Sequence, residues 1–453
     1  MNLRDKRFLV FGTGKSGVSA AKLLKSQQLA VKLYDGNENL DRMAFYEKNP
    51  DLSDVELITG TLPEKEMHHV DILVVSPGVP VDLPVVTAMW EQGTAVWGEI
   101  ELAYAFAKGD ILAITGTNGK TTTTTLLGKI MEERYDDVRV VGNIGIPYTS
   151  MAEQTTEETV TVAEISSFQL ETIHTFAPKV TAILNITPDH LNRHHTMENY
   201  IAVKESITKN QTPDDLCVLN YEDETLRTFG EGLKTRVFWF SSARALQDGC
   251  YLQDGTIFLS EGGRATEIVR TEKLHLLGRH NYENVMAAAA MAYGYGVPLA
   301  DIRKALLCFT AVEHRIEYTV EKRGIQFYND SKGTNPDAAI QGIKAMDRPT
   351  FLIGGGYDKD SSYGEWIDAF EGKVKELVLI GQTREKIAET AREHGFEAVT
   401  LADSLEEAVH ICYEHAAPGD AVLLSPACAS WGMFADYEER GRRFKEIARS
   451  LKE

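Results

Sequence analysis

The sequence predicts an α/β protein of three domains, and three observations lead there. Short aliphatic and β-branched runs alternate with helical stretches along the whole chain, the pattern of mostly parallel sheets covered by helices. Two of those runs open into glycine loops, Gly12–Gly17 and Gly116–Thr122, each leading straight into a helical segment. The length of 453 residues exceeds what a single hydrophobic core serves. At roughly 150 residues per domain it corresponds to about three.

The first block, 1–97, carries strands in RFLVFG, LAVKLYD, DILVVSPG and TAVWG, with amphipathic segments between them. The second, 98–311, opens on ILAITG and continues through TVTVAEIS and VTAILNIT. It closes with a β-rich patch from Cys250 to Leu277, marked by DG and EGG turns, and the helix NYENVMAAAAMAYGYG. The third, 312–453, holds GIQFYND, TFLIGGG, ELVLIG, AVTLA and AVLLSP, and ends on a charged amphipathic helix from Asp436.

Composition narrows the function. The chain is 43% hydrophobic and 25% charged, as expected of ordinary folded domains. Lys and Arg number 47 against 67 Asp and Glu, a net charge of −20. That field disfavours nucleic acid or an anionic membrane as a partner, but not a small anionic substrate in a local pocket. Five scattered cysteines without a CxxC pair suggest neither a disulfide framework nor a zinc site. The opening apolar run is a strand's length, and no apolar stretch of ~18 residues follows, so a cytoplasmic protein is expected.

The first glycine loop, Gly12-Thr13-Gly14-Lys15-Ser16-Gly17, matches GxGxxG, and Asp35 ends the next strand 18 residues beyond Gly17. Free N–H groups at a helix N-terminus favour a diphosphate there. The same glycines would also serve close helix–strand packing alone. Leu9 stands where a Walker loop needs its leading glycine. SPGVP at 76–80 follows another strand and could add N–H groups to the same crevice.

The second loop, Gly116-Thr117-Asn118-Gly119-Lys120-Thr121-Thr122, is a shortened phosphate loop, with Ile114 where the longer motif has glycine. Its amides cradle phosphates, Lys120 reaches the outer ones, and Thr121 or Thr122 meets Mg²⁺. Glu164, ending an apolar strand, is placed to supply the carboxylate such a site needs. NITPDHLNRHH brings Asp189 and His190 to another strand end, while His194 and His195 read as surface loop residues. Lys204, in the helical YIAVKESI, reads by itself as a solvated lysine.

In the third block a strand delivers Asp330 and Lys332 to its carboxyl end, and Thr334 and Asn335 precede a helix opened by Pro336. Arg315 lies where the second block hands over to the third, where an arginine could reach a transferred phosphate. Lys359, Ser430 and Tyr437 follow further strands. Strand-end residues of this kind line the ligand crevice of doubly wound sheets, although ordinary loop polarity would look the same.

GTNGKTT, EISSFQL, NITPDHLNRH, GRHNYENVMAA, EHRIE, NDSKGTNPDA, GGGYDK and LLSPACAS occur in this order across the chain. Together they resemble the Mur ligase family, ATP-dependent amide ligases of peptidoglycan precursor synthesis. DSKGTNP and SPACASWGMF resemble the members that add D-glutamate, and no DNPR-like motif of siblings with other acceptors is present. The folylpolyglutamate synthases share the phosphate loop but not the first block or this last motif.

The resemblance implies a Rossmann-like UDP-binding domain, a central P-loop ATPase-like domain with a small extra β-sheet, and a C-terminal Rossmann-like domain. It implies ATP, two Mg²⁺ ions, UDP-N-acetylmuramoyl-L-alanine and D-glutamate as ligands. By motif, Lys120, His190, Lys204 and Lys332 are catalytic. Gly116, Thr117, Asn118, Gly119, Lys120, Thr121, Thr122, Asn281, Asn284, Arg315 and Asp330 bind ATP. Thr121, Glu164, His190 and a CO₂-derived carbamate on Lys204 hold metal. Lys15, Ser16, Asp35, Gly36, Gly78 and Asn143 take the UDP-substrate. Thr334, Lys359, Ser430 and Tyr437, the last a Phe in many relatives, grip D-glutamate. A monomer is expected. The rival readings are another Mur-type ligase, a nicotinamide-dependent dehydrogenase, for which the phosphate loop has no use, and a nucleotide-binding switch, which leaves the third block without a role.

Overall fold

The computed structural model describes residues 3–310, 312–359 and 361–452. Its contacts divide the chain into two compact units. One comprises Met1–Gln253, Phe258–Ile268 and Glu283–Lys304; the other comprises Asp254–Ile257, Val269–Tyr282 and Ala305–Glu453.

In the first unit, β1 (Arg7–Phe11), β2 (Ala30–Asp35), β3 (Leu57–Thr59), β4 (Ile72–Val75) and β5 (Ala95–Gly98) form a parallel sheet in the order β3-β2-β1-β4-β5. The order reverses between β1 and β4, so the loops after these two strands flank one crevice. A second sheet is built on β6 (Asp110–Thr115), β7 (Val138–Gly142), β8 (Val160–Glu164), β9 (Val180–Ile183), β10 (Leu216–Asn220) and β11 (Arg236–Ser241). These run β11-β10-β9-β6-β8-β7, all parallel. β6 lies between β8 and β9, so the loop after β6 has the ends of both neighbours beside it. The β-rich patch resolves into β12 (Gly249–Gln253), β13 (Thr256–Glu261) and β14 (Arg264–Arg270).

One hydrophobic core serves both sheets of this unit. It runs from Phe8, Val10 and Leu33 through Trp97, Ile100 and Tyr148 to Ala113, Ala163 and Ile183. β8 and β9 are buried along their whole length, as strands covered on both faces must be.

The second unit holds β15 (Glu317–Lys322), β16 (Ile325–Asn329), β17 (Thr350–Gly354), β18 (Val374–Leu379), β19 (Val399–Leu401) and β20 (Ala421–Leu424). Their order is β15-β16-β20-β17-β18-β19, parallel except for the antiparallel edge strand β15. Alternate residues feed two cores. Leu352, Leu377, Leu379 and Leu423 pack with Trp366 on one face, and Phe351, Ile353, Val378 and Leu424 with Phe444 on the other. Because β20 lies between β16 and β17, the loops after all three strands meet at one sheet edge.

Among the described residues no helix is long and apolar enough to cross a membrane.

Candidate active site

The loop after β1 is tied to the end of β2. Thr13 donates to one oxygen of Asp35 through its amide (3.1 Å) and its hydroxyl (2.6 Å), and the amide of Asn37 takes the other oxygen at 3.0 Å. Lys15 and Ser16 form the first turn of the helix Lys15–Ser26, behind Gly14. Gly17 is there for packing, since a Cβ on it would sit 1.9 Å from the carbonyl oxygen of Gly12. A Cβ on Gly12 would lie 2.6 Å from the Ser76 hydroxyl, so the loop containing Gly78 does border this crevice. Ser76 Oγ is buried and has no hydrogen-bond partner among the described residues. Gly36 lines an open cavity of about 500 Å³ together with Phe11, Tyr34, Glu38, Thr61 and Leu83.

The loop after β6 is held from several sides. Thr117 Oγ1 lies 3.0 Å from the Tyr200 hydroxyl and accepts from the Thr187 amide at 3.0 Å. Asn118 and Asn185 exchange amide bonds of 2.8 and 3.2 Å. Gly119, at φ 85°, caps the helix Lys120–Glu132, and a Cβ on it would come within 2.2 Å of Asn284 Oδ1. That oxygen also accepts from Thr123 Oγ1 at 3.3 Å. The first helical turn therefore carries Lys120, Thr121 and Thr122. Asn281, on the same helix as Asn284, donates to the Leu277 carbonyl at 2.7 Å.

Two lysines converge on Gly116. Lys120 Nζ donates to its carbonyl oxygen at 3.0 Å and to that of Thr117 at 2.8 Å; Lys204 Nζ donates to the Gly116 carbonyl at 2.8 Å. Lys204 is not the solvated residue its helix suggests: it is 2% exposed, with Nζ 4.6 Å above the Tyr200 ring. Burial, then the neighbouring Lys120 charge, push its amine down to about 7.

The ends of β8 and β9 complete the surroundings. Glu164 is buried; Oε1 accepts from Asn143 Nδ2 at 2.8 Å, while Oε2 has no hydrogen-bond partner among the described residues. A buried carboxylate oxygen without a donor suits a divalent cation. Among the described residues no group of three or more His, Cys, Asp and Glu could form a metal cage. Mg²⁺ asks for less, usually one or two carboxylates plus substrate phosphates and water. Glu164, with its unpartnered Oε2, can supply one such carboxylate. His190 is half exposed, at φ 51°, with its ring 4.9 Å from Phe168. His195 is at the surface, as expected. His194 is not: it is 4% exposed, with Nε2 3.0 Å from Ser167 Oγ. A short helix, Leu191–His194, turns its ring inward, and burial lowers its pKa.

In the second unit Asp330 is buried behind β16 and accepts from Ser425 Oγ at 2.7 Å. Burial pushes its carboxyl up to about 7. Lys332 Nζ stands 5.5 Å above the Tyr437 ring, and Thr334 directly precedes Asn335, whose side chain caps the helix Pro336–Ala345. Tyr357 bridges to Ala429, joining the loops after β17 and β20, and Lys359 Nζ lies 5.0 Å above Trp431, next to the buried Ser430. Arg315 is exposed, between His314 and Ile316 at positive φ. Sequence reasoning missed Arg440. It is 1% exposed and binds the Ser331 hydroxyl (3.0 Å), the Ser331 carbonyl (2.9 Å) and the Cys428 carbonyl (3.1 Å), tying the NDSK loop to the SPAC loop. Nothing in ERGRRF distinguishes it from its neighbours. Asn185 and Arg193 were missed for the same reason.

Three family models match the chain. Residues 6–98 match the MurD-like N-terminal domain of Mur ligases, 114–292 the Mur ligase middle domain, and 314–428 the Mur ligase glutamate ligase domain. The UDP-N-acetylmuramoylalanine–D-glutamate ligase of Lachnoclostridium phytofermentans is 54% identical over 453 residues, all of both chains. The chain belongs to the Mur ligase family. The enzyme of the same name from Clostridioides difficile is 42% identical over 453 residues, again all of both chains. Among solved Mur ligases, the UDP-N-acetylmuramate-alanine ligase MurC of Thermotoga maritima is 20% identical, with a TM-score of 0.59 over 99% of this chain and 100% of that one. At that identity the likeness is one of fold.

Proposed function

We propose that this Mur ligase joins D-glutamate to UDP-N-acetylmuramoyl-L-alanine in cytoplasmic peptidoglycan precursor synthesis, acting as a monomer and converting ATP to ADP and phosphate. Residues 1–97 take the UDP-sugar, 98–311 bind ATP, and 312–453 take the amino acid. The observation that carries the reading is the convergence of Lys120 and the buried Lys204 on the Gly116 carbonyl, in the loop directly after β6, the strand that pairs with the one ending in Glu164.

The substrate carboxylate attacks the γ-phosphorus of ATP, the bond to the β-phosphate oxygen breaks, and ADP leaves. The amine of D-glutamate, having lost its proton, adds to the acyl phosphate, and the tetrahedral intermediate expels phosphate to leave an amide. Phosphorylation is needed because a free carboxylate is a poor electrophile. Most of the acceleration comes from positioning and charge neutralisation. Lys120 pairs with the β- and γ-phosphates. Glu164, Thr121 or Thr122, and His190 would hold Mg²⁺, which spreads the charge of the transferred phosphoryl group. The UDP-substrate is assigned to Lys15, Ser16, Asp35, Gly36, Gly78 and Asn143. Thr334, Lys359, Ser430 and Tyr437 are assigned to the acceptor, Asn281 and Asn284 to the adenine side, and Asp330, Arg315 and Lys332 to the ribose and phosphates.

A lysine amine held near 7 is largely unprotonated just above neutrality, the form that adds to CO₂. Its nitrogen bonds to the carbon, one proton is released, and Lys204 becomes an anionic carbamate able to face metal. Lys204→Ala should lose activity and recover part of it with added short carboxylic acids. Carbon-13 enrichment from labelled CO₂ should give a carbamate signal in the wild-type protein that the variant lacks.

The deciding experiment is phosphate release with Mg·ATP and UDP-N-acetylmuramoyl-L-alanine, offering D-glutamate, L-glutamate, L-lysine or D-alanyl-D-alanine. Turnover with D-glutamate alone is expected. Turnover with another acceptor would replace the acceptor assignment and keep the ATP site, whereas no turnover would overturn the ligase reading.

A further inference from the structure

The short helix Leu191–His194 is held under strain at both ends. His190 is at φ 51° and His195 at φ 66°, positions a non-glycine residue keeps only when its surroundings fix it. What fixes the segment is Arg193. Its Nε and Nη2 donate to the two oxygens of Glu171 at 3.2 and 2.6 Å, and Nη2 also donates to the Val79 carbonyl at 2.9 Å. The side chain is only 10% exposed, and its guanidinium lies 5.0 Å above Phe168, the ring His190 also packs against. Glu171 in turn stands 3.4 Å from His194 Nδ1. A looser strut, His195 to Asp82 at 3.2 Å, runs parallel at the surface. Val79 and Asp82 belong to the stretch after β4 that borders the Gly12 crevice, and His190 belongs to the loop after β9.

We propose that Arg193 is a positioning residue that fixes the spacing between the loop bordering the donor's diphosphate site and the loop carrying His190. The inference rests on the functional reading above. A UDP-linked substrate long enough to present its far carboxylate at His190 must touch both loops at once, so any play between them lowers the affinity of the whole molecule. UDP alone touches the first loop and is indifferent to that spacing. With Nε and Nη2 committed to protein acceptors, Arg193 acts through the two loops. A lysine cannot reproduce the forked contact with Glu171 while also reaching the Val79 carbonyl.

The test is equilibrium binding of UDP and of UDP-N-acetylmuramoyl-L-alanine to the full chain, with Mg²⁺ and a non-hydrolysable ATP analogue, in the wild type, Arg193→Lys and Glu171→Gln. In Arg193→Lys, UDP should bind within about twofold of wild type, while UDP-N-acetylmuramoyl-L-alanine should bind roughly tenfold more weakly. Glu171→Gln should show the same split, smaller, and carries the test alone if the lysine variant does not fold. Equal weakening of both ligands would mean a general loosening of the N-terminal sheet and would overturn the inference, as would no change in either. Failure of the wild type to bind UDP-N-acetylmuramoyl-L-alanine would overturn the functional reading instead.

Discussion

In the loop after β1, Gly12 and Gly17 serve close packing of the backbone and the acid at the end of β2 serves the loop. Gly17 lets the helix settle on the Gly12 carbonyl, and Asp35 spends its oxygens on Thr13 and Asn37. In the loop after β6 the support comes from elsewhere in the chain: Asn185 and Thr187 beyond β9, Tyr200 and Lys204 on the helix Met197–Glu205, and Asn284 far downstream. Both are strand–glycine–helix junctions, and from the first alone either a ligand site or a packing turn could be read. The difference teaches that a glycine loop held by residues distant in the chain has its backbone ordered in advance, so that a charged group reaching it would meet donors already in place.

The comparison breaks most sharply at its two lysines. Lys120→Met should cut phosphate release about 10²–10³-fold, the usual loss when one donor to a developing charge is removed. Lys15→Met, at the exposed first turn of the other helix, should cost less than about tenfold, since a single solvent-facing cation contributes ~1 kcal/mol. Equal losses at the two sites would mean that both loops act on the transferred phosphoryl group.

The second unit sharpens the contrast through its own strand-end acid. Asp35 is partly exposed, whereas Asp330 is buried, and Cβ atoms on Gly333 or Gly342 would come within 2.7 and 2.8 Å of its Oδ2. Its carboxyl is raised from 3.8 to about 7, chiefly by burial. Between those values the folded protein keeps a proton that the unfolded chain has lost, so stability falls as pH rises through the interval and levels off above it. Asp330→Asn, which cannot ionise, should match the wild type near pH 4 and exceed it above pH 7 by up to about 4 kcal/mol. Chemical denaturation across that interval reads the difference. A wild type that gains on the variant with rising pH would refute the assignment.

What the sequence disclosed follows the same division. Strands flanked by glycine or proline and buried on both faces, such as β1, β6, β17 and β20, were legible because their apolar runs are uninterrupted. β3 is three residues long, β7 carries Arg139, and the edge strand β15 alternates charge in EYTVEK, so none stood out. Likewise, the sequence pattern puts Lys120 at a helix start and Glu164 and Asp330 at strand ends, and they lie there in the fold. Arg193, Arg440 and the inward turn of His194 were not legible, because their roles depend on partners far away in the chain, as with Arg193 and Val79 or Arg440 and Ser331.

The packing half of the comparison is tested at Gly17. A Cβ there meets a backbone carbonyl at 1.9 Å, an atom that cannot swing aside, so Gly17→Ala should destabilise the first unit by about 1–3 kcal/mol. The thermal midpoint should fall while the Lys120 chemistry persists in the molecules that remain folded. An unshifted midpoint would show that the helix can retreat from the Gly12 carbonyl.

Gly14 gives the smallest effect and the finest distinction. It caps the same helix at φ −73°, where an L-residue is unstrained, and nothing lies within 4 Å of a Cβ built on it. Packing therefore makes no demand for glycine here, and Gly14→Ala should leave stability within about 0.5 kcal/mol of wild type or raise it slightly by restricting the unfolded chain. If the open space is where a diphosphate approaches the backbone, the added methyl should still weaken UDP binding, because close approach is what a glycine at that position provides. A variant that keeps both its midpoint and its affinity for UDP would show that the diphosphate does not approach at Gly14, and that only Gly12 and Gly17 of this loop need their glycines.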